Sequence, residues 1–250
     1  MTGETEASDT SIGPPRRWSR RSLLGTGAVG LVVGACGTEI GNVLAGGSSS
    51  GGSSTPPDVD LMQEHGVLKR ILLIYQNALL RLGGGEEPVA AAVHDGALII
   101  HDFIEGFHEP LEEGYVFPRV RQAGPQFAQT VDTLLVQHAR GRERTQIILA
   151  GSNSRALSSA GDRKDVSTAM ADFIRMYAPH EAREDTVVFP AFRSLLGADE
   201  LNDLAENFAD LQHQQFGSGG FSTMVERVAS IEKELGIYDL EQFTPAPITP

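Results

Sequence analysis

Two segments of this chain repeat one another, and each places a glutamate four residues after a histidine. The first segment spans residues 108–118 and the second spans residues 180–190, and six of their eleven positions are identical. A shorter pair, Glu64-His65 and Gln137-His138, recurs at nearly the same offset. Internal repetition of this kind indicates two similar structural units within one fold.

Apolar residues around each of these histidines are spaced three and four residues apart, which is typical of amphipathic helices. Four long helices are predicted, at about 58–82, 88–122, 125–150 and 162–196. In each helix one histidine falls on the apolar face, and these are His65, His108, His138 and His180. The pattern therefore predicts an all-α protein, an antiparallel up-down four-helix bundle with histidines facing its interior.

The repeated His-x-x-x-Glu spacing puts both side chains of each pair on one helix face. Burying such imidazoles and carboxylates without partners costs several kcal/mol each. We therefore expect a pair of divalent cations bridged by the two carboxylates, as in helical di-metal carboxylate proteins. Iron is the first expectation because it suits mixed imidazole and carboxylate ligation, with manganese and zinc as lesser alternatives. The predicted metal ligands are His65, His108, Glu112, His138, His180 and Glu184.

At these residues the chain resembles the hemerythrin-like family. The pattern of that family is a histidine on the first helix, His-x-x-x-Glu followed by Phe-Pro on the second, and a near-copy on the third and fourth. Both pairs, Phe117-Pro118 and Phe189-Pro190, lie where the pattern requires them, and the resemblance covers about residues 58–196. It implies a non-haem di-iron protein in which the four histidines are terminal ligands and the two glutamates bridge. Such proteins bind dioxygen, nitric oxide or peroxide at the open coordination position.

One position departs from the family. Oxygen-carrying hemerythrins have a further histidine four residues after the third-helix ligand, whereas this chain has Arg142. The resemblance then implies a site one imidazole short, which suits sensing or scavenging better than reversible oxygen storage. Glu109 and Glu181 directly follow ligand histidines and are expected to point off the core. Candidates for alternative ligands, or for side chains that support the ligands, are His101, Glu105, Arg142 and Asp185.

Two other functions fit the same residues. A di-iron oxidoreductase, such as a peroxidase or a nitric oxide reductase, would use the same centre but needs an electron donor that the sequence does not identify. A helical lipoprotein that serves as an interaction module would need no metal. We expect binding of a metal and a small ligand rather than catalytic turnover.

The first 36 residues have the layout of an export signal. Arg20-Arg21 precedes an apolar run from Leu23 to Ala35, as in a twin-arginine signal, and that run is too short to span a bilayer. Cys36, the single cysteine, follows small residues as in a bacterial lipoprotein cleavage site, where it would carry a lipid anchor. We therefore expect a location in the cell envelope, anchored to the membrane and facing the extracytoplasmic side.

The rest of the chain divides into a linker, one main domain and an extension. Residues 37–57 are rich in Gly and Ser and are expected to be flexible. The four predicted helices occupy 58–196, and residues 197–250 add two shorter helices, at about 199–214 and 221–235, before a Pro-rich tail. The formal net charge of −13 argues against nucleic acid as a partner.

Overall fold

Helices make up most of the part of the chain that the computed structural model describes, which comprises residues 54–82, 89–152, 157 and 159–248. These residues contain no strand, so the predicted all-α class is confirmed. The predicted export signal with Cys36, and residues 37–53 of the predicted linker, lie outside the described residues. The helices are α1 (Pro57–Leu82), α2 (residues 89–121), α3 (Pro125–Gly151), α4 (residues 160–195), α5 (Ala198–Phe216) and α6 (Gly220–Leu235).

Helices α2 and α4 are unbroken, but some of their turns are wider than those of an α-helix. The wide, π-helical sections are Ile100–His108 and Glu112–Val116 in α2, and Glu184–Val188 in α4. The remaining sections are α-helical: Val89–Ile99, Glu109–Leu111 and Phe117–Arg121 in α2, and Ala160–Arg183 and Phe189–Leu195 in α4.

The Phe-Pro pairs account for two of these wide sections. The backbone N–H of Phe117 donates to the carbonyl of Glu112, and that of Phe189 donates to the carbonyl of Glu184, five residues back in each case. The next residue is a proline, which has no N–H and whose ring clashes with the carbonyl four residues earlier in a regular helix. Each Phe-Pro pair therefore favours a π-helical turn that begins at a glutamate of the repeat.

The four long helices pack around one apolar core. Helix α1 contacts α2, α2 contacts α3, α3 contacts α4, and α4 contacts α1. Aromatic rings fill much of the space between them, and Phe173 lies against both Tyr75 and Tyr177, with ring centroids 5.8 and 4.3 Å away. These three side chains are fully buried, so they contribute a large share of the hydrophobic stabilisation.

The C-terminal helices α5 and α6 cover one side of this core. Helix α6 contacts α1 and α2, and α5 contacts α6 and α1. A two-point ion pair holds α6 in place, because Arg70 donates from Nε to Glu232 Oε1 over 2.9 Å and from Nη2 to Glu232 Oε2 over 2.5 Å. The turn between α5 and α6 uses Gly217 and Gly220, whose φ angles of 69° and 39° are ones that residues with a side chain rarely adopt.

Most helix ends in the described ranges lie close to the predicted ones. Helix α4 begins two residues earlier than expected, where the Ser159 side chain accepts a hydrogen bond from the backbone N–H of Asp162 and caps the helix. None of the helices in this part of the chain is long and apolar enough to cross a membrane.

Gly141 allows α3 and α4 to approach closely. A methyl group at this position would collide with the Tyr177 hydroxyl and lie 2.8 Å from two ring carbons. Gly141→Ala is therefore expected to lower the free energy of unfolding by roughly 1–3 kcal/mol, measured by urea denaturation. Gly66→Ala on α1 is the matched control, because nothing lies within 4 Å of its added methyl group. That variant should be neutral or stabilising, by about 0.5–1 kcal/mol. Equal effects of the two substitutions would contradict the close approach.

Glu105 on α2 makes stability depend on pH. Burial raises the pKa of its carboxyl to about 7, and the nearby charge of Glu109 acts in the same direction. A raised folded-state pKa contributes stability that is complete below about pH 4.5 and is lost as pH rises through about 7. Metal-free Glu105→Gln should therefore gain stability over wild type as pH rises from 4.5 to 8, by about 1–3 kcal/mol. Glu206→Gln, at an exposed site on α5, should track wild type, and parallel curves for all three proteins would refute the assignment.

Candidate metal centre

The six predicted ligand residues meet in the interior of the protein. Helix α1 supplies His65, α2 supplies His108 and Glu112, α3 supplies His138, and α4 supplies His180 and Glu184. All six side chains are buried, the most exposed being His180 at 4%. Four helices therefore direct their imidazoles and carboxylates to one point.

Within this cluster the side chains form two groups of three. His65, His108 and Glu112 make one group, and His138, His180 and Glu184 make the other. In each group one ligand-type atom from every residue lies within 4.8 Å of the others. Two imidazoles and a carboxylate at such distances can hold a metal ion. We refer to these groups as the first and second triads.

Glu112 lies between the two triads. Its Oε1 atom is 3.4 Å from His108 Nε2 and 3.9 Å from His65 Nε2, while its Oε2 atom is 3.5 Å from His138 Nε2. One oxygen of this carboxylate therefore faces each triad. That is the disposition a bridging ligand requires.

Glu184 also touches both triads, through a single oxygen. Its Oε2 atom is 3.1 Å from His180 Nε2 and 3.5 Å from His65 Nε2. The neighbouring carboxylate, Asp185, lies outside the cluster and contacts the other nitrogen of His65.

Every histidine of the cluster is held from outside through its Nδ1 atom. The acceptors are Asp185 for His65 at 2.7 Å, Glu64 for His108 at 2.8 Å, Glu113 for His138 at 2.9 Å and Gln137 for His180 at 2.8 Å. We call these four side chains the outer ring. Because a carboxylate or an amide oxygen only accepts, each Nδ1 carries the proton and each Nε2 presents a lone pair inward.

The interior of the cluster thus requires positive charge. The four carboxylate oxygens of Glu112 and Glu184 are buried without a hydrogen-bond partner among the described residues. They face the Nε2 lone pairs, and acceptors that face one another repel unless a proton or a metal ion lies between them. Buried, unpaired oxygens together with inward imidazole nitrogens could bind a metal ion.

In the absence of metal, the pKa values of His108 and His65 reflect the same need for positive charge. Burial by itself lowers the pKa of His108, but Glu112 and Glu64 outweigh it and raise that pKa well above its usual range. For His65 burial again acts downward, while Asp185 and Glu184 bring the pKa up to about 9. Bound metal would have to displace these protons.

Two cationic side chains outside the cluster partly neutralise two carboxylates of the outer ring. Arg142 donates from Nη2 to Glu113 Oε1 over 2.8 Å and pairs with Glu109 Oε2 at 2.5 Å. Lys69 takes the corresponding place near α4, with Nζ 3.2 Å from Asp185 Oδ2 and 3.7 Å from Glu181 Oε1. Arg142 therefore contacts Glu113, which in turn accepts a hydrogen bond from His138 of the second triad.

Three expectations from the sequence need correction. Glu109 and Glu181 do not point off the core but are buried, at 0% and 2% exposure. Glu109 is satisfied by Arg142 and by the hydroxyl of Tyr177, which donates to it over 2.7 Å. His101 is neither a ligand nor a support, because its half-exposed ring pairs with the adjacent Asp102.

Glu105 is also outside the two triads. It is buried on α2 one turn before His108, and neither triad includes it. The physical reason is shared with His101, since the π-helical section Ile100–His108 changes the direction in which residues before His108 point.

Phenylalanines of the repeated Phe-Pro pairs form two walls of the cluster. Phe189 stacks on His65 with ring centroids 5.4 Å apart, and Phe117 stacks on His138 at 5.5 Å. Both rings are buried, so they keep water from the imidazoles.

The sequence analysis did not predict the outer-ring roles of Glu64, Glu113 and Gln137. The only signal in the sequence was that Glu64 and Gln137 directly precede histidines of the repeat.

Comparisons with known proteins identify relatives but no described activity. No protein-family model matches the chain, and no solved structure matches it significantly. The chain is 50% identical over 192 residues to Uncharacterized protein Rv1995 of Mycobacterium tuberculosis and to Uncharacterized protein Mb2018 of Mycobacterium bovis. Each match covers 77% of this chain and 74% of the relative. The chain belongs to the same family as these mycobacterial proteins.

Proposed function

We propose that this protein is a hemerythrin-like, non-haem di-iron protein that binds dioxygen, nitric oxide or peroxide. One observation carries the proposal: four buried imidazoles direct Nε2 at two buried carboxylates whose oxygens have no hydrogen-bond partner among the described residues. Structural histidines in a core are normally satisfied by hydrogen bonds on their own. Here each Nδ1 atom has its partner on the outside. The inward Nε2 atoms of His138 and His180 lie 3.3 Å apart, and these inward nitrogens and the carboxylate oxygens can serve as ligands of a cation.

The same proposal includes the arrangement of the helices as an antiparallel up-down four-helix bundle. The circular order of contacts, from α1 through α2, α3 and α4 back to α1, supports it. So does the supply of ligand-type side chains by all four of these helices. In bundles of this type, facing helices build the metal site in the core.

Two ions fit this ligand set better than one. Each triad offers two imidazoles and a carboxylate, and Glu112 presents one oxygen to each triad. Such mixed nitrogen and oxygen ligation suits iron, with manganese and zinc as alternatives. When bound, a pair of iron ions would supply redox chemistry and coordination positions open to a small ligand.

The residues of the chain would restrict what reaches these ions. Phe117 and Phe189 cover two of the imidazoles, and all six ligand side chains are buried, so we expect only a small molecule to reach the ions. Arg142 is engaged with Glu109 and Glu113 and does not add a ligand at the position where oxygen carriers have a histidine. These features favour sensing or scavenging of a small ligand over oxygen storage.

We also propose that the protein acts outside the cytoplasm as a membrane-anchored lipoprotein. The sequence supports this through Arg20-Arg21, the apolar run that follows, and Cys36. The twin-arginine route carries folded proteins, so it would allow the metal centre to be loaded before export.

The metal proposal predicts iron content. The full chain, produced with ample iron, should contain about two iron ions, and nitric oxide should change the absorption spectrum of the reduced protein. His108→Ala and His180→Ala each take one imidazole from a triad and should reduce iron to about one ion per chain or less, with a lower melting temperature. The matched control is His213→Ala, an exposed site on α5, which should keep both ions. Unchanged iron content and melting temperature in the two triad variants would instead favour a metal-free module.

The location proposal predicts an export defect. Replacing Arg20 and Arg21 by Lys should leave uncleaved precursor in the cytoplasm, because the arginine pair is the part of the signal that the twin-arginine route reads. Replacing Arg16 and Arg17, a nearby arginine pair, in the same way is the control and should leave export intact. Normal export of the Arg20 and Arg21 variant, measured by cell fractionation, would rule out this route.

A further inference from the structure

We propose that the two metal positions are unequal, and that the second triad holds its cation more weakly and exchanges it first, an inference that rests on the proposed function. It comes from the one pair of corresponding outer-ring residues that differ in charge, Glu64 and Gln137. The second triad, His138, His180 and Glu184, differs from the first in the side chain that supports one of its histidines.

Most of the outer ring obeys the repeat. Asp185 and Glu113 each lie five residues after a repeat histidine and each accepts from a histidine on a different helix. The cations beside them correspond as well, since Lys69 and Arg142 each lie four residues after a triad histidine. Both triads therefore have one histidine held by a carboxylate that a cation partly neutralises.

The remaining two supports differ in charge. Glu64 precedes His65 and accepts from His108, whereas Gln137 precedes His138 and accepts from His180. Glu64 is fully buried, and its other oxygen accepts a hydrogen bond from the neutral amide of Gln212 over 3.4 Å. A carboxylate on Nδ1–H makes an imidazole a stronger metal ligand than an amide does. The first triad therefore has the more basic histidine pair.

A cavity lies beside Gln137, the uncharged residue of the outer ring. About 230 Å³ in volume, it is lined by the His180 and Gln137 side chains together with Thr133, Pro179 and other residues of α3 and α4. Gln137 is only partly buried, in contrast to Glu64. The second triad thus has both the less basic ligand and an adjoining opening through which an ion or a small ligand could pass.

Titration of the metal-free full chain with Co²⁺ tests the inference. Two ions should bind with dissociation constants that differ by about tenfold or more. Gln137→Glu should tighten the weaker step by about tenfold and leave the tighter step unchanged. Glu64→Gln should weaken the tighter step, and the double exchange should reverse which triad fills first. His108→Ala and His180→Ala assign the steps, because each should remove the step of its own triad.

Gln129→Glu is the control, since it adds the same charge at an exposed site on the same helix and should shift neither step. The gain of affinity expected for Gln137→Glu cannot arise from poor folding, so the test does not depend on the buried Glu64 variant. Two equal binding steps in the wild type would overturn the inference while leaving a dinuclear centre. The same holds if Gln137→Glu tightens neither step, or if it tightens the step that His108→Ala removes. Failure of the wild type to bind any stoichiometric Co²⁺ would overturn the proposed function itself.

Discussion

The structure depends on repulsion between acceptors that are buried together. Glu112 and Glu184 face the Nε2 atoms of four imidazoles, and the outer ring prevents those imidazoles from turning their N–H groups inward. The helices can hold this arrangement only if something positive occupies the centre. With protons alone, neighbouring carboxylates raise the pKa of His65 to about 9 and that of His108 well above its usual range. Binding of a cation at this cluster would therefore be coupled to tertiary packing.

The repeat explains why so much of the centre could be predicted from the sequence. Spacing of four residues fixed the pairing of His108 with Glu112 and of His180 with Glu184, and apolar periodicity identified the inward face of each helix. Both are properties of a single helix and need no knowledge of its neighbours. The all-α class followed from the same periodicity. Helix ends were also close, since they depend on local capping and on breaks in the pattern.

What could not be predicted depends on contacts between helices. The burial of Glu109 follows from Tyr177 on α4 and Arg142 on α3, and no feature of α2 alone reveals those partners. His101 was misjudged because a regular helix was assumed where the chain forms a π-helical section. Outer-ring pairing has the same origin, since periodicity gives the face of a helix but not which side chain it meets on another helix.

The bonds that cross between the halves of the repeat have a consequence for folding. Asp185, from the second half, holds His65 in the first, 120 positions away along the chain, and Glu113 from the first half holds His138 in the second. Each helical hairpin supplies all three residues of its own triad, but one histidine of each triad is held by a side chain of the other hairpin. The contact between Asp185 and His65 is distant in sequence, so its formation requires a costly loop closure. An ion that arrives early would meet triads whose histidines are only partly supported, and only docking of the two hairpins would fix the orientation of His65 and His138.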